Sequence, residues 1–371
     1  MKPRTGKSHF RLITQPDDGI SPLLEAIDKA KKRIDILIFR FDRAALEEAL
    51  VRAVERGVSV QALIAWTNRG GEKHLRDLEA RLLGAGVTVS RTASDLTRYH
   101  GKMLLVDGNQ LLLLAFNFTG LDIDRSRSFG LITAKRKLVL EAKKLFEADT
   151  VRQPYKPGSP DFIVSPLNAR ERLAAFIEGA KKELLIYDPG LGDPQMVRLL
   201  EERNRAGVRI RIIGEMKRAS PLVTARPLAR MRLHTRTIVR DGRDVFVGSQ
   251  SLRAAELDGR REIGIVLSDR QIAESVTRVF EEDWKLTAED TQVSGETLQG
   301  DKLAKKVAKA VVKDMPPVME VLEAVAEEVS GGRTGVEGVD LEKLEEAVRT
   351  AVKTAVKEAI QSATGPGIVS P

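Results

Sequence analysis

The sequence predicts an α/β fold built twice. Two duplicated lobes, each a mixed sheet flanked by helices, pack about a pseudo-two-fold axis and precede an α-helical C-terminal tail. Three observations carry this reading. The stretch His100 to Gly130, HGKMLLVDGNQLLLLAFNFTGLDIDRSRSFG, returns without a gap as His234 to Gly264, HTRTIVRDGRDVFVGSQSLRAAELDGRREIG. Alternating strand and helix patterns lead into each copy. After Leu286 the composition turns to Ala, Val, Lys and Glu, and residues 301–371 contain no aromatic side chain. Within the repeat His100 matches His234, Lys102 matches Arg236, and Asp107-Gly108 matches Asp241-Gly242. Asn117 matches Ser251, and Gly130 matches Gly264. The chain holds only four histidines, and two of them share one repeat position.

The elements follow in order. Residues 9–14 read as a strand. Ser21-Pro22 opens a helix, with serine as N-cap and proline at the first helical position. Ile34 to Phe39 is a strand buried on both faces. A helix over 43–56 ends at Gly57, a strand covers 58–65, a helix covers 71–83, and a strand covers 87–90. His100 opens a strand that turns at Asp107-Gly108 and returns over 111–115, because Asp-Gly suits a hairpin. A short strand at 129–133 and an amphipathic helix over 135–149 close the first lobe, 9–155. Gln153 to Pro160 is a linker by composition. The second lobe, 161–288, repeats the plan, with strands at 162–165, 184–187 and 208–213 and helices at 169–180 and 195–205. Its closing helix ends Phe280-Glu281-Glu282-Asp283, an echo of Phe146-Glu147-Ala148-Asp149. Lys217 to Arg232 is a basic segment, either a solvated loop or a rim that gathers an anion. In the tail, 301–371, apolar stripes predict three amphipathic helices. They read as a packing appendage or, through Lys302 to Lys313, as a contact with an anionic membrane surface.

Composition bounds the function. The 371 residues are 42% apolar and carry a formal net charge of +8. A basic surface suits an anionic partner: nucleic acid, phospholipid or a free phosphodiester. With no cysteine, disulfides and thiolate metal sites are excluded and a reducing cytoplasm is expected. The N-terminus has no signal-peptide core. No apolar run reaches about 18 residues, so membrane contact would be peripheral. His9 and His74 read as surface residues, Trp66 and Trp284 as core, and Lys135 to Lys137 as a solvated helix start.

The chemistry lies in the repeat. Residues two apart on a strand point the same way, so His100 and Lys102 would share one face, with Asn117 nearby. The second copy offers His234, Arg236, Ser249 and Ser251. Two imidazoles and two fixed cations suit a phosphodiester. One imidazole can attack phosphorus, and the other can give a proton to the leaving oxygen. Lys102 and Arg236 would neutralise the non-bridging oxygens. No metal or other cofactor is needed for this chemistry.

Two His-X-Lys/Arg-X4-Asp motifs, each beyond a matching α/β run, join Gly248-Ser249 and Arg261-Glu262-Ile263-Gly264. The set resembles the paired motifs of the phospholipase D superfamily over roughly residues 9–288. The resemblance implies two α/β halves with the site between them. It implies that His100 and His234 are catalytic, and that Lys102, Arg236, Asn117, Ser249 and Ser251 hold phosphate. It further implies that Glu262 orients a histidine and that the motif aspartates Asp107 and Asp241 are structural. The chain departs from the pattern at Arg236 for lysine, Leu114-Ala115 for Gly-Ser, Ser251 for asparagine and Ser128 for the first carboxylate. The expected protein is a monomeric phosphodiesterase or phosphatidyltransferase, cytoplasmic or peripheral at a membrane, acting on a phospholipid-type diester. The alternatives are a nuclease of the same superfamily and a non-catalytic nucleic-acid- or lipid-binding module.

Overall fold

The computed structural model describes residues 8–67, 72–228, 230–287 and the single position 355. The chain divides after Thr287, and the helices expected over 301–371 lie outside the described residues apart from that one position.

The duplication is visible in the strand order of two sheets. The first runs Phe10–Gln15, Ser126–Thr133, Gln110–Leu114, Met103–Val106, Arg33–Ile38, Ser59–Ile64, Thr88–Arg91. The second runs Phe162–Val164, Ile263–Ser268, Asp244–Gly248, Arg236–Arg240, Glu183–Leu191, Arg209–Met216, Ala225–Arg226, the same order in the same repeat positions. Both sheets are mixed: the hairpin strands pair antiparallel, and the strands joined through helices pair parallel.

Local chemistry explains the hairpins. Asp107 and Gly108 have φ of 50° and 65°, and Asp241 and Gly242 have 53° and 64°. Positive φ at both central residues is the two-residue turn that Asp-Gly favours. Each aspartate then accepts backbone N–H groups from the loop before the neighbouring strand. Asp107 takes those of Lys31, Lys32 and Arg33, and Asp241 takes those of Lys181, Lys182 and Glu183, all at 2.7–3.2 Å. The expected structural part of these two residues is thus visible as a clamp on the sheet. The repeat glycine of the second lobe also has a steric reason. A Cβ at Gly264 would come within 2.5 Å of the Phe246 ring.

Three apolar clusters organise the packing. One face of the first sheet, with Ile34, Ile36, Leu104 and Leu112, is covered by the helices Ser21–Asp28, Ala44–Glu55 and Glu72–Gly84. The matching face of the second sheet, with Leu184, Ile186 and Ile238, is covered by Ala169–Glu178 and Pro194–Arg205. The remaining faces meet each other. Met103, Leu105, Leu113 and Phe129 join Leu185, Tyr187, Val247 and Ile263 in one shared core, with Arg136–Thr150 and the helix over 270–287 packed into it. Consecutive residues of these strands are buried, as continuous apolar runs covered from both sides require.

The lobes are also stitched by two very short ladders. Arg98–Tyr99 of the first lobe pairs parallel with Arg260–Arg261 of the second. Arg232–Leu233 of the second pairs parallel with Ser126 and Arg127 of the first. These two ladders interchange when the repeats are exchanged, as an isologous interface requires. Buried ion pairs flank them in the same symmetric way. Arg127 reaches Asp283 at 2.8 Å, and Arg261 reaches Asp149 at 3.2 Å, so the echoed Phe-Glu-X-Asp helix ends supply the carboxylates.

Some expectations change. Ser21 is the first helical residue, not the cap: Ile20 precedes it in helical geometry and no side chain caps the helix. His100 and His234 do not open the hairpin strands, which begin at Met103 and Arg236. Their backbone N–H groups are drawn across the seam to Arg261 O and Arg127 O, at 2.7 and 3.0 Å. Trp66 is 44% exposed rather than core, with the Arg91 guanidinium 5.7 Å from its ring centroid. Trp284 does stack on Phe280 beside the core.

Candidate active site

Both histidines leave the interlobe ladders and enter the hairpins, so the seam carries them. His100 and His234 are buried, at 7% and 5% exposure. His100 Nδ1 lies 2.8 Å from Oε2 of Glu262, a residue of the other lobe. Lys102 Nζ lies 3.0 Å from both ring nitrogens, and Phe39 packs edge-on to the imidazole at 4.5 Å between centroids. Ser249 neighbours Glu262 and favours its ionised form. The Ser249 hydroxyl bridges the backbone of Ile263, accepting from its N–H at 3.1 Å and donating to its carbonyl at 3.3 Å. Ser249 therefore sits behind Glu262 in this arrangement.

His234 has a different set of neighbours. Arg236 Nη1 donates to the His234 carbonyl at 2.6 Å, and its Nε donates to Ser251 Oγ at 3.2 Å. Asp122 Oδ2 lies 3.5 Å from His234 Nε2. The position equivalent to Glu262 is Ser128, and its buried hydroxyl has no hydrogen-bond partner. His234 Nδ1 likewise has none.

Asp122 and its repeat counterpart Glu256 are the polar residues that motif spacing overlooked. Asp122 accepts from Asn117 N at 2.9 Å and from Asn117 Nδ2 at 2.6 Å. Glu256 accepts from Ser251 N at 2.7 Å and faces Arg236 Nε at 3.7 Å. Arg232 bonds Asp122, and Arg253 and Arg260 bond Glu256. An acid at the same repeat position in both copies was the available signal.

The electrostatics mark one connected site. Burial first, then Lys102 and Arg236, holds His100 well below its ordinary value. His234 is pushed the same way by burial, and again Arg236 and Lys102 oppose its charge while Asp122 favours it. The same two cations thus act on both imidazoles. Burial, aided by Arg236, holds Lys102 down to about 7, against the pull of Glu262. Burial and the neighbouring Glu256 raise Glu262 to about 7. Glu256 itself stays well below the carboxylate range, because Arg236 and Arg253 outweigh its burial. Charges in such a dry environment interact strongly and shift together. Among the described residues, no group of three or more His, Cys, Asp or Glu is arranged to hold a metal ion.

A duplicated mixed α/β protein with a histidine from each lobe on one seam defines the class. A family model described as a cardiolipin synthase, phospholipase D-like domain matches residues 23–150 and 173–284. The chain belongs to the phospholipase D superfamily. It is 21% identical over 381 aligned positions to cardiolipin synthase 1 of Bacillus cereus, covering 85% of this chain and 74% of that protein. It is 29% identical over 134 residues to the mitochondrial cardiolipin hydrolase of Danio rerio, which is 35% of this chain and 58% of the relative. The match thus spans little more than half of the zebrafish protein. Its fold is similar to polyphosphate kinase of Porphyromonas gingivalis, with TM-score 0.62, 20% identity, and 74% and 50% of the two chains covered. It is similar also to phosphatidylserine synthase of Haemophilus influenzae, with TM-score 0.57, 12% identity, and 75% and 86% covered. No described helix is long and apolar enough to cross a membrane.

Proposed function

We propose that the protein is a phosphodiesterase or phosphatidyltransferase of the phospholipase D type, acting on a phospholipid-type diester through a phosphohistidine. The observation that carries this is Glu262 on His100 Nδ1 at 2.8 Å. A carboxylate there holds the proton on Nδ1 and leaves Nε2 as the attacking nitrogen. His100 Nε2 forms a bond to phosphorus as the bond to the leaving oxygen breaks, and the imidazolium of His234, whose charge Asp122 favours, gives that oxygen a proton and becomes neutral. His234 then takes a proton from water or an alcohol, whose oxygen displaces His100 from phosphorus. Lys102 and Arg236, with Asn117 and Ser251, face the non-bridging oxygens. The named activities of the cardiolipin synthase and cardiolipin hydrolase relatives support a phospholipid substrate. The lobes 9–155 and 161–288 would carry this chemistry in a single chain, with 301–371 as a peripheral membrane contact. Turnover of a generic aryl phosphodiester, phosphatidylglycerol, phosphatidylcholine and single-stranded DNA tests the reading. The expected result is turnover of the aryl diester and a phospholipid. Preference for DNA, with affinity falling steeply in salt, would replace it by the nuclease reading.

A further inference from the structure

The two histidines are related by the repeat, yet their carboxylate neighbours are not. Glu262 meets His100 at Nδ1, whereas its counterpart Ser128 offers His234 no carboxylate. Asp122 meets His234 at Nε2, whereas its counterpart Glu256 turns to Arg236, Arg253 and Arg260. Each imidazole therefore has one carboxylate, on opposite nitrogens.

Asp122 is well fixed for such a part. It is 2% exposed. Two N–H groups of Asn117 hold its Oδ2, and Arg232 holds its Oδ1. His234 Nδ1 is buried and meets no acceptor. A proton on Nδ1 would be an unpaired buried N–H, while Nε2 has the Asp122 carboxylate 3.5 Å away. Arg236, Lys102 and Arg232 also act on the ring, against its positive charge.

We propose that Asp122 is a positioning residue that keeps a proton on Nε2 of His234, so that the two repeat-related histidines are held in opposite tautomers. Under the phosphohistidine reading, on which this consequence rests, His234 has no Nε2 lone pair to attack phosphorus. His100 alone presents one, and Lys102 faces it as a donor at 3.0 Å. Asp122 in this way breaks the symmetry that the duplication would otherwise leave between nucleophile and acid.

The tautomers are measurable without turnover. Imidazole nitrogen NMR on the full 15N-labelled chain separates the two ring nitrogens. Only four histidines need assignment, and His100→Gln and His234→Gln identify the pair. The wild type should show His100 protonated on Nδ1 and His234 protonated on Nε2. Asp122→Asn keeps the shape and removes the charge. It should move the His234 Nε2–H resonance upfield and leave His100 in place. Asp122→Ala should let His234 populate both tautomers. A wild-type proton on Nδ1 of His234, or His234 signals unmoved in the folded Asn variant, would overturn the proposal even if turnover is intact. Absence of turnover with these tautomers present would overturn the enzymatic reading alone.

Discussion

Glu262 of the second lobe reaches His100 of the first, Oε2 to Nδ1 at 2.8 Å, and the carboxylate is fully buried. The contact exists only when the lobes are joined, so lobe packing and site assembly are one event. Burial and Glu256 raise this carboxyl to about 7. The orienting form is the ionised one, so its contribution to rate should grow as pH rises through about 7. Lys102 is held down to about 7 by burial and Arg236, and its charge is lost over the same range. A narrow bell-shaped pH profile near neutrality is expected. Glu262→Gln should lower kcat/KM by on the order of 10²–10⁴-fold, the usual span of acid–base assistance, and flatten the acidic limb. An unchanged acidic limb would remove Glu262 from the site's chemistry.

Lys102 also links pH to stability. Its folded value is depressed from 10.5 to about 7. Between those limits the unfolded chain binds the extra proton, so this residue makes stability rise with pH from about 7 to about 10. Lys102→Met lacks the term. Urea midpoints should therefore show the wild type gaining on the variant between about pH 7 and about pH 9.5, and parallel midpoints would contradict the assignment.

Asp283 tests the seam. It pairs with Arg127 at 2.8 Å and accepts from the Tyr187 hydroxyl at 2.6 Å, and all three side chains are buried. Removing one partner of a buried pair leaves the other uncompensated, at a cost of about 3–5 kcal/mol. Asp283→Ala should lose about that much in chemical denaturation, and Asp149→Ala, its counterpart beside Arg261, a similar amount. A loss below about 1 kcal/mol would mean that water reaches the seam.

The repeat made much of this legible. An ungapped match with Asp-Gly turns in both copies located the hairpins, and repeat-matched histidines pointed to the candidate site. The seam left no such trace. Arg98–Tyr99 and Arg232–Leu233 are two residues long, too short for a periodic pattern, so the histidines looked like strand starts. Asp122 and Glu256 lie on five-residue helices, and no motif spacing singles them out. They are buried because arginines and backbone N–H groups pair them. Trp66 was misread because size alone suggests burial. The chain instead leaves it at the surface beside Arg91.

Residues 301–371 contain no histidine, and none of the site residues described above belongs to them. A chain ending near residue 300 should turn over a small soluble aryl diester with kcat/KM within about twofold of the full chain. It should also bind cardiolipin or phosphatidylglycerol vesicles more weakly, because a basic amphipathic segment is absent. Lost turnover in a folded truncation would show that the tail completes the site.

The most direct test is to trap the covalent intermediate. The full chain is mixed with an activated aryl phosphodiester, quenched in base to preserve the acid-labile P–N bond, digested, and read by mass spectrometry. The expected result is a phosphoryl adduct on the peptide carrying His100, absent in His100→Ala and still formed in His234→Ala, because a good leaving group needs little protonation. An adduct on His234, or none in the wild type under conditions that give turnover, would contradict His100 as the nucleophile.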